Sequence, residues 1–240
     1  MTTPDKDRPE QIGHEHRDVS GGWLRPAVFG AMDGLVTNVS LIAGVGGGGG
    51  SQHAILLTGL AGLAAGAFSM AAGEFVSVSS QNELVQAEVD KERHELTHNA
   101  AAEQIELVGM LRRRGISAAT ARLAAAEISA HPDQALAVHA IEELGVDPSE
   151  LPSPYVAAAA SLVAFAIGAI IPLLPYALGF DALWVALLLS AVAAVVGGGV
   201  VSRLTDRPFW RGALRQLLLG GLAAGLTYLI GLAVGGLAGG

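Results

Sequence analysis

The chain reads as an all-α polytopic membrane protein with five transmembrane helices, and three observations lead there. Hydrophobic residues make up 51% of it and charged residues only 15%, with a mean hydropathy of +0.48, a membrane-type composition. Five windows (27–45, 53–78, 156–178, 182–201 and 214–237) are apolar over the roughly 20 residues a helix needs to cross a hydrocarbon core. All 14 Lys and Arg fall in three segments: the tail up to Arg25, the stretch from Lys91 to Arg122, and the stretch from Arg203 to Arg215. Five spans put those segments on one face, which the positive-inside rule makes cytoplasmic, with the C-terminus on the opposite side.

The division that follows is a polar tail (1–22), spans one and two (23–80), a helical insert (81–154) and spans three to five (155–240). The tail is polar where a cleavable leader needs an apolar stretch, so it is expected to stay unprocessed. Its His14-Glu15-His16 motif is either a weak metal site or part of a disordered polar tail. With no cysteine, thiolate metal sites and disulfides are excluded, and any ion is held by oxygen, nitrogen or thioether donors. The net charge of −8 argues against a nucleic-acid partner.

Small residues recur at helix-packing intervals within the spans: Gly30 and Gly34, Gly62 and Gly66, Gly221 and Gly225, Gly231 and Gly235. Such pairs let helix backbones approach closely, within one chain or between two copies. The run Gly46 to Gly50 reads as a flexible outer loop. Asp33 lies about a third of the way into the first span, where a carboxylate costs roughly 2.5–3.5 kcal/mol on insertion scales. It should therefore face a cavity or a partner. Glu74 follows Met70 by one turn on the same face of the second span. Met70 reads either as core filling or as a soft ligand suited to a late first-row divalent ion.

The insert reads as helical with breaks. A first segment continues from the second span to about Thr97, Asn99 interrupts it, and a second runs to Arg112–Arg114 with Gly115 as its stop. Further helices fit 117–130 and 133–144, before Pro148, Pro152 and Pro154 return the chain to the membrane. Glutamates recur as Glu92-x-x-Glu95 and Glu103-x-x-Glu106. An unbroken helix would hold these pairs about 16 Å apart, too far for one ion. A fold-back at Asn99 would bring them together as a carboxylate site for divalent cations, with His139 and Glu143, at i and i+4, as further ligands. Solvated helix faces are the alternative.

Several stretches together resemble the vacuolar iron transporter family. They are Met32-Asp33-Gly34-Leu35-Val36-Thr37, the run from Ala65 to Phe75 with 77–81, the double glutamate pair, and the run from His139 to Gly145. The likeness runs in order from Trp23 onward and suggests a bacterial-type member, in the cell (inner) membrane of a bacterium. It implies a five-helix homodimer that exports cytosolic Fe²⁺, in some members Mn²⁺ or other divalent ions such as Zn²⁺ and Co²⁺, in exchange for protons. It implies no prosthetic group. The resemblance places Asp33 and Met70 on an intramembrane metal pathway at the dimer interface. Glu92, Glu95, Glu103, Glu106 and Glu143 match the family's cytoplasmic metal-binding glutamates. His139 and Ala140 stand where some members have methionines, which bears on metal preference, and Gly62 where some have glutamate, which bears on proton coupling.

Asp33 is then expected to hold metal and proton in turn, because a carboxylate at low dielectric favours its neutral form unless a cation neutralises it. Two other readings compete. A membrane-anchored di-iron oxidase needs two Glu-x-x-His motifs on facing helices, and only Glu95-x-x-His98 is present. A metal-binding regulator that does not transport would have no need of Asp33 inside a span.

Overall fold

A computed structural model describes residues 22–238, so His14-Glu15-His16 lies outside the described residues. Regular structure among them is helical throughout. Five helical stretches are long and apolar enough to cross a membrane: α1 (Leu24–Gly47), α2 (Gln52–His98), α6 (Pro154–Ile170) continued by α7 (Leu174–Ala177), α8 (Leu183–Leu204) and α9 (Phe209–Ala238). Phe29, Leu57, Phe68, Leu188 and Leu222 are each more than half exposed, which water would penalise and acyl chains favour. Exposed Trp23, Tyr155 and Trp210 ring the ends of the spans nearer the insert, and Phe180 and Trp184 the far ends, as expected of aromatic belts at the two interfaces.

Glycine decides how the spans meet. A Cβ on Gly34 would collide with the carbonyl of Phe165, and one on Gly168 with that of Ala31, so α1 and α6 touch backbone to backbone. Gly231 and Gly235 press on Gly44 and Gly48 in the same manner. Gly62 and Gly66 instead face side chains of Leu41, Asn38 and Phe165, and Gly221 and Gly225 meet nothing within 4 Å. The glycine run expected as a flexible loop is helical through Gly47, because α9 packs against it; the chain turns at Gly49, φ +76°. Gly168→Val should cost more than the about 1–3 kcal/mol typical of overpacking, since the obstacle is backbone. Thermal unfolding in detergent, followed by size-exclusion chromatography, measures the loss.

The third span was expected as one helix over 156–178; instead a 3-10 turn at Ile171–Leu173 interrupts it. Pro172 and Pro175 lack the N–H groups that a continuous helix needs. Beside the break, fully buried Asn38 of α1 donates from Nδ2 to the Ala169 carbonyl at 2.6 Å.

Helix α2 has 47 residues, about 70 Å of rise, so it leaves the apolar window and becomes the strut of the insert. It ends at Asn99, whose carbonyl accepts from the N–H groups of Ala102 and Glu103 and turns the chain into α3 (Ala100–Arg113). Gly115, φ +91°, stops α3. Ser117 caps α4 (Ala118–Ser129), accepting from the Thr120 N–H at 3.3 Å. Pro132 opens α5 (Pro132–His139) at its first turn, where its missing N–H costs nothing. A π-helical turn over Ala140–Leu144 follows, closed by Gly145 at φ +68°. Val85 and Val89 of α2 pack on Ala140, with Leu136 and Leu144 around them. Leu107 and Met110 of α3 pack on Ala125 of α4, with Val138 of α5 beside them. The two clusters seat α5 between the strut and the α3–α4 hairpin.

Candidate metal site

The fold-back at Asn99 and the seating of α5 bring four ligand side chains to one point. One ligand atom from each of Glu92 (α2), Glu103 (α3), His139 (α5) and Glu143 (π turn) lies within 4.8 Å of the others. His139 is fully buried; the side chains of Glu92, Glu103 and Glu143 are 13%, 11% and 31% exposed. Its Nδ1 stands 2.9 Å from Glu92 Oε1, 3.3 Å from Glu143 Oε1 and 3.7 Å from Glu103 Oε2. A single ring nitrogen cannot satisfy three carboxylates. Glu92 Oε1 is buried without a hydrogen-bond partner despite its short distance, because Nδ1 is not aligned on it, and His139 Nε2 is likewise unpartnered.

Buried atoms left in that state cost about 1–3 kcal/mol each or more, and a cation among them removes the cost for the carboxylates. Burial pushes the Glu92 carboxyl above the ordinary range. Glu143, Glu103 and Glu106 add to this by repulsion, against the downward pull of His139. Burial likewise raises the Glu103 carboxyl, with repulsion from Glu106, Glu143 and Glu95, again opposed by His139. The donor set, three carboxylates and one imidazole, suits a divalent first-row ion.

Of the six expected insert ligands, four converge and two stand at the edge. Glu95 borders a cavity of about 100 Å³ beside the cage and accepts from the Asn99 amide. Glu106 is exposed and acts on the cage through its charge. Four residues outside the glutamate pattern also shape the site. Lys91 and Glu88 line the same cavity, and Arg114 forks onto Glu142, Nε to Oε2 and Nη2 to Oε1 both at 3.1 Å. That ion pair ties the end of α3 to the π turn that carries Glu143. Its trace in the sequence is the run Arg112–Arg114, whose charges also suit a helix C-terminus.

Within the spans the expected residues lie apart from the cage. Asp33 is half-buried on α1, one turn before Thr37. It shares a helix stripe with Thr37, Ser40 and Gly44, which line an open groove of about 830 Å³ against α9. Met70 packs beside Ala67, Phe165 and Ala169, the contacts of core filling, and Glu74 is half-buried one turn further on. Among the described residues, none of the three belongs to a group of three or more ligand side chains of His, Asp or Glu.

Among the described residues, five helices long and apolar enough to cross a membrane, with a cluster of carboxylates and an imidazole that could hold a metal ion, fit a membrane protein that handles metal ions. The pattern of the VIT family matches residues 24–232, and the chain belongs to that family. It is 36% identical over 236 residues to a vacuolar iron transporter of Acanthamoeba castellanii, covering 93% of this chain and 84% of the relative. Vacuolar iron transporter homolog 1 of Oryza sativa subsp. japonica is 36% identical over 226 residues, covering 92% and 78%. Vacuolar iron transporter homolog 2 of Arabidopsis thaliana is 35% identical over 219 residues, covering 88% and 85%. These relatives are transporters by name, so the oxidase reading is set aside: the chain is not an enzyme.

Proposed function

We propose that the protein carries Fe²⁺, and Mn²⁺ as a second load, out of the cytosol in exchange for protons. The observation that supports this best is the cage of Glu92, Glu103, His139 and Glu143, whose buried, mutually repelling oxygens call for a dication. The bases of the tail, the insert and the Arg203–Arg215 loop support a cytosolic side for the cage by the positive-inside rule. In a bacterial host that is the inner face of the cell membrane. Glu95 and Glu106 at the rim draw ions in, and the cage concentrates them. Asp33, with Met70 and Glu74, then takes the ion through the spans. The open groove along Thr37, Ser40 and Gly44, on the helix stripe that carries Asp33, is closed by a second copy, which makes the working unit a homodimer with paired Asp33 carboxylates.

Iron uptake into vesicles containing the purified protein tests this reading. Flux above that of empty vesicles is expected, whereas intact ion binding without flux would leave a binding protein that does not transport. Metal affinity should also depend on pH. Glu92 and Glu103 hold protons above the ordinary carboxylate range, so protons compete with the ion, and affinity falls as pH drops through those raised values. Isothermal titration with Mn²⁺ at stepped pH measures this, and two released protons set the upper limit from this pair.

A further inference from the structure

The last turns of α2 carry a second set of ligand side chains that the cage leaves unused. His94-Glu95-Leu96-Thr97-His98 has the spacing His-Glu-x-x-His, which sets two imidazoles one turn apart on a single helix face. Both residues are exposed, and their rings stack with centroids 4.0 Å apart and planes 27° from parallel. At about 100° per residue, His94 and His98 point roughly 200° and 240° round the helix from Glu92, away from the cage.

His98 Nδ1 lies 2.8 Å from the His94 carbonyl oxygen. A carbonyl only accepts, so Nδ1 carries the proton and Nε2 keeps its lone pair. Metal-binding histidines are commonly held in this way, with the other ring N–H given to a carbonyl. Asp90 adds a carboxylate one turn earlier on the same face, its Oδ1 accepting from Arg93 at 2.8 Å and Gln86 at 3.1 Å. Glu95 is turned to Asn99.

We propose that His94 and His98 form a second divalent-ion site, built from nitrogen donors and selective for late first-row ions of the Zn²⁺ and Cu²⁺ class. Imidazole pairs prefer such ions, while the carboxylate-rich cage accepts the earlier ones, Mn²⁺ and Fe²⁺. Because late ions bind either donor set more tightly than Mn²⁺ or Fe²⁺, an imidazole pair on the same strut sorts the ions reaching the insert by holding late ions on its outer face. The site binds and does not hydrolyse, since Glu95 is committed to Asn99 rather than left to act as a base on a bound water.

The test uses the full chain in detergent, with His14→Ala and His16→Ala removing the tail donors and Glu103→Gln disabling the cage. Cu²⁺ is titrated and read by electron paramagnetic resonance, whose nitrogen splittings count the imidazoles bound. One Cu²⁺ with two nitrogens is expected. His94→Ala or His98→Ala should remove one nitrogen and weaken binding at least about tenfold. Alanine is the better helix former at both exposed positions, and circular dichroism checks that the fold is kept. In the chain with an intact cage, the same substitutions should leave Mn²⁺ binding unchanged. Cu²⁺ coupling that persists in the His94→Ala/His98→Ala double variant overturns the proposal, and so does loss of Mn²⁺ binding in that variant.

Discussion

Replacing Glu103 by glutamine is expected to disable the cage for Mn²⁺ while raising the melting temperature of the metal-free protein. The two effects share one cause. Glu103 is buried against Glu92, Glu143 and His139, and its carboxyl is held above the ordinary range by burial and then by Glu106. A carboxylate whose folded pKa is raised contributes stability below its unfolded pKa, and that contribution is lost as pH rises through the raised value. At neutral pH the charge therefore works against the metal-free fold, and the neutral isostere relieves it. The same charge is what holds a dication, so affinity for Mn²⁺ should fall by at least about 100-fold, beyond the 10–100-fold of losing a supporting partner. Glu106→Gln, at the exposed rim, should weaken binding less than tenfold. Calorimetric titration with a parallel thermal scan reads both quantities. A loss of stability in Glu103→Gln would mark the residue as a structural hydrogen-bonding group instead.

Asp33→Ala is expected to stop transport without harming the fold. A carboxylate inside a span costs roughly 2.5–3.5 kcal/mol on insertion scales, so its removal should ease insertion. Asp33 sits on the stripe with Thr37, Ser40 and Gly44 rather than in the helix contacts that α1 makes through Gly30 and Gly34. Flux of Fe²⁺ into vesicles should drop by at least about 100-fold, to the level of empty vesicles, while calorimetry still finds the cage filled. Asp33→Asn separates the roles further, since it keeps an oxygen donor and removes the exchangeable proton. Parent-level flux in Asp33→Ala would move the pathway elsewhere.

Local signals in the sequence carried most of the fold. Composition and base placement marked five apolar stretches, and Asn99, Gly115, Ser117, Pro132 and Gly145 each sit at the break or cap that their backbone preferences favour. Features set by contacts between distant segments were less visible. Helix α1 runs into the glycine stretch because Gly231 and Gly235 of α9 support it, and the break in the third span depends on two prolines amid apolar residues.

The glutamate spacing pointed to a carboxylate site between α2 and α3 on condition of a fold-back at Asn99, with solvated helix faces as the alternative, yet the choice of Glu92 and Glu103 over Glu95 and Glu106 depends on how far α3 rotates as it packs on α4 and α5. The π turn that carries Glu143, and the Arg114–Glu142 pair beside it, have no sequence period that marks them. The Glu95-x-x-His98 motif is legible in the sequence, but the stacking of His98 on His94 one turn earlier is set by side-chain placement on the helix face.

The exchange of metal for protons is tested most directly by Fe²⁺ uptake, under a reductant, into vesicles whose protein has its insert facing outward. With an acid lumen, protons leaving should drive iron in, and uptake should exceed that without a gradient, collapse with a protonophore, and carry Mn²⁺ as well. Uptake indifferent to the gradient, or absent while the cage still binds iron, would contradict a proton-coupled carrier.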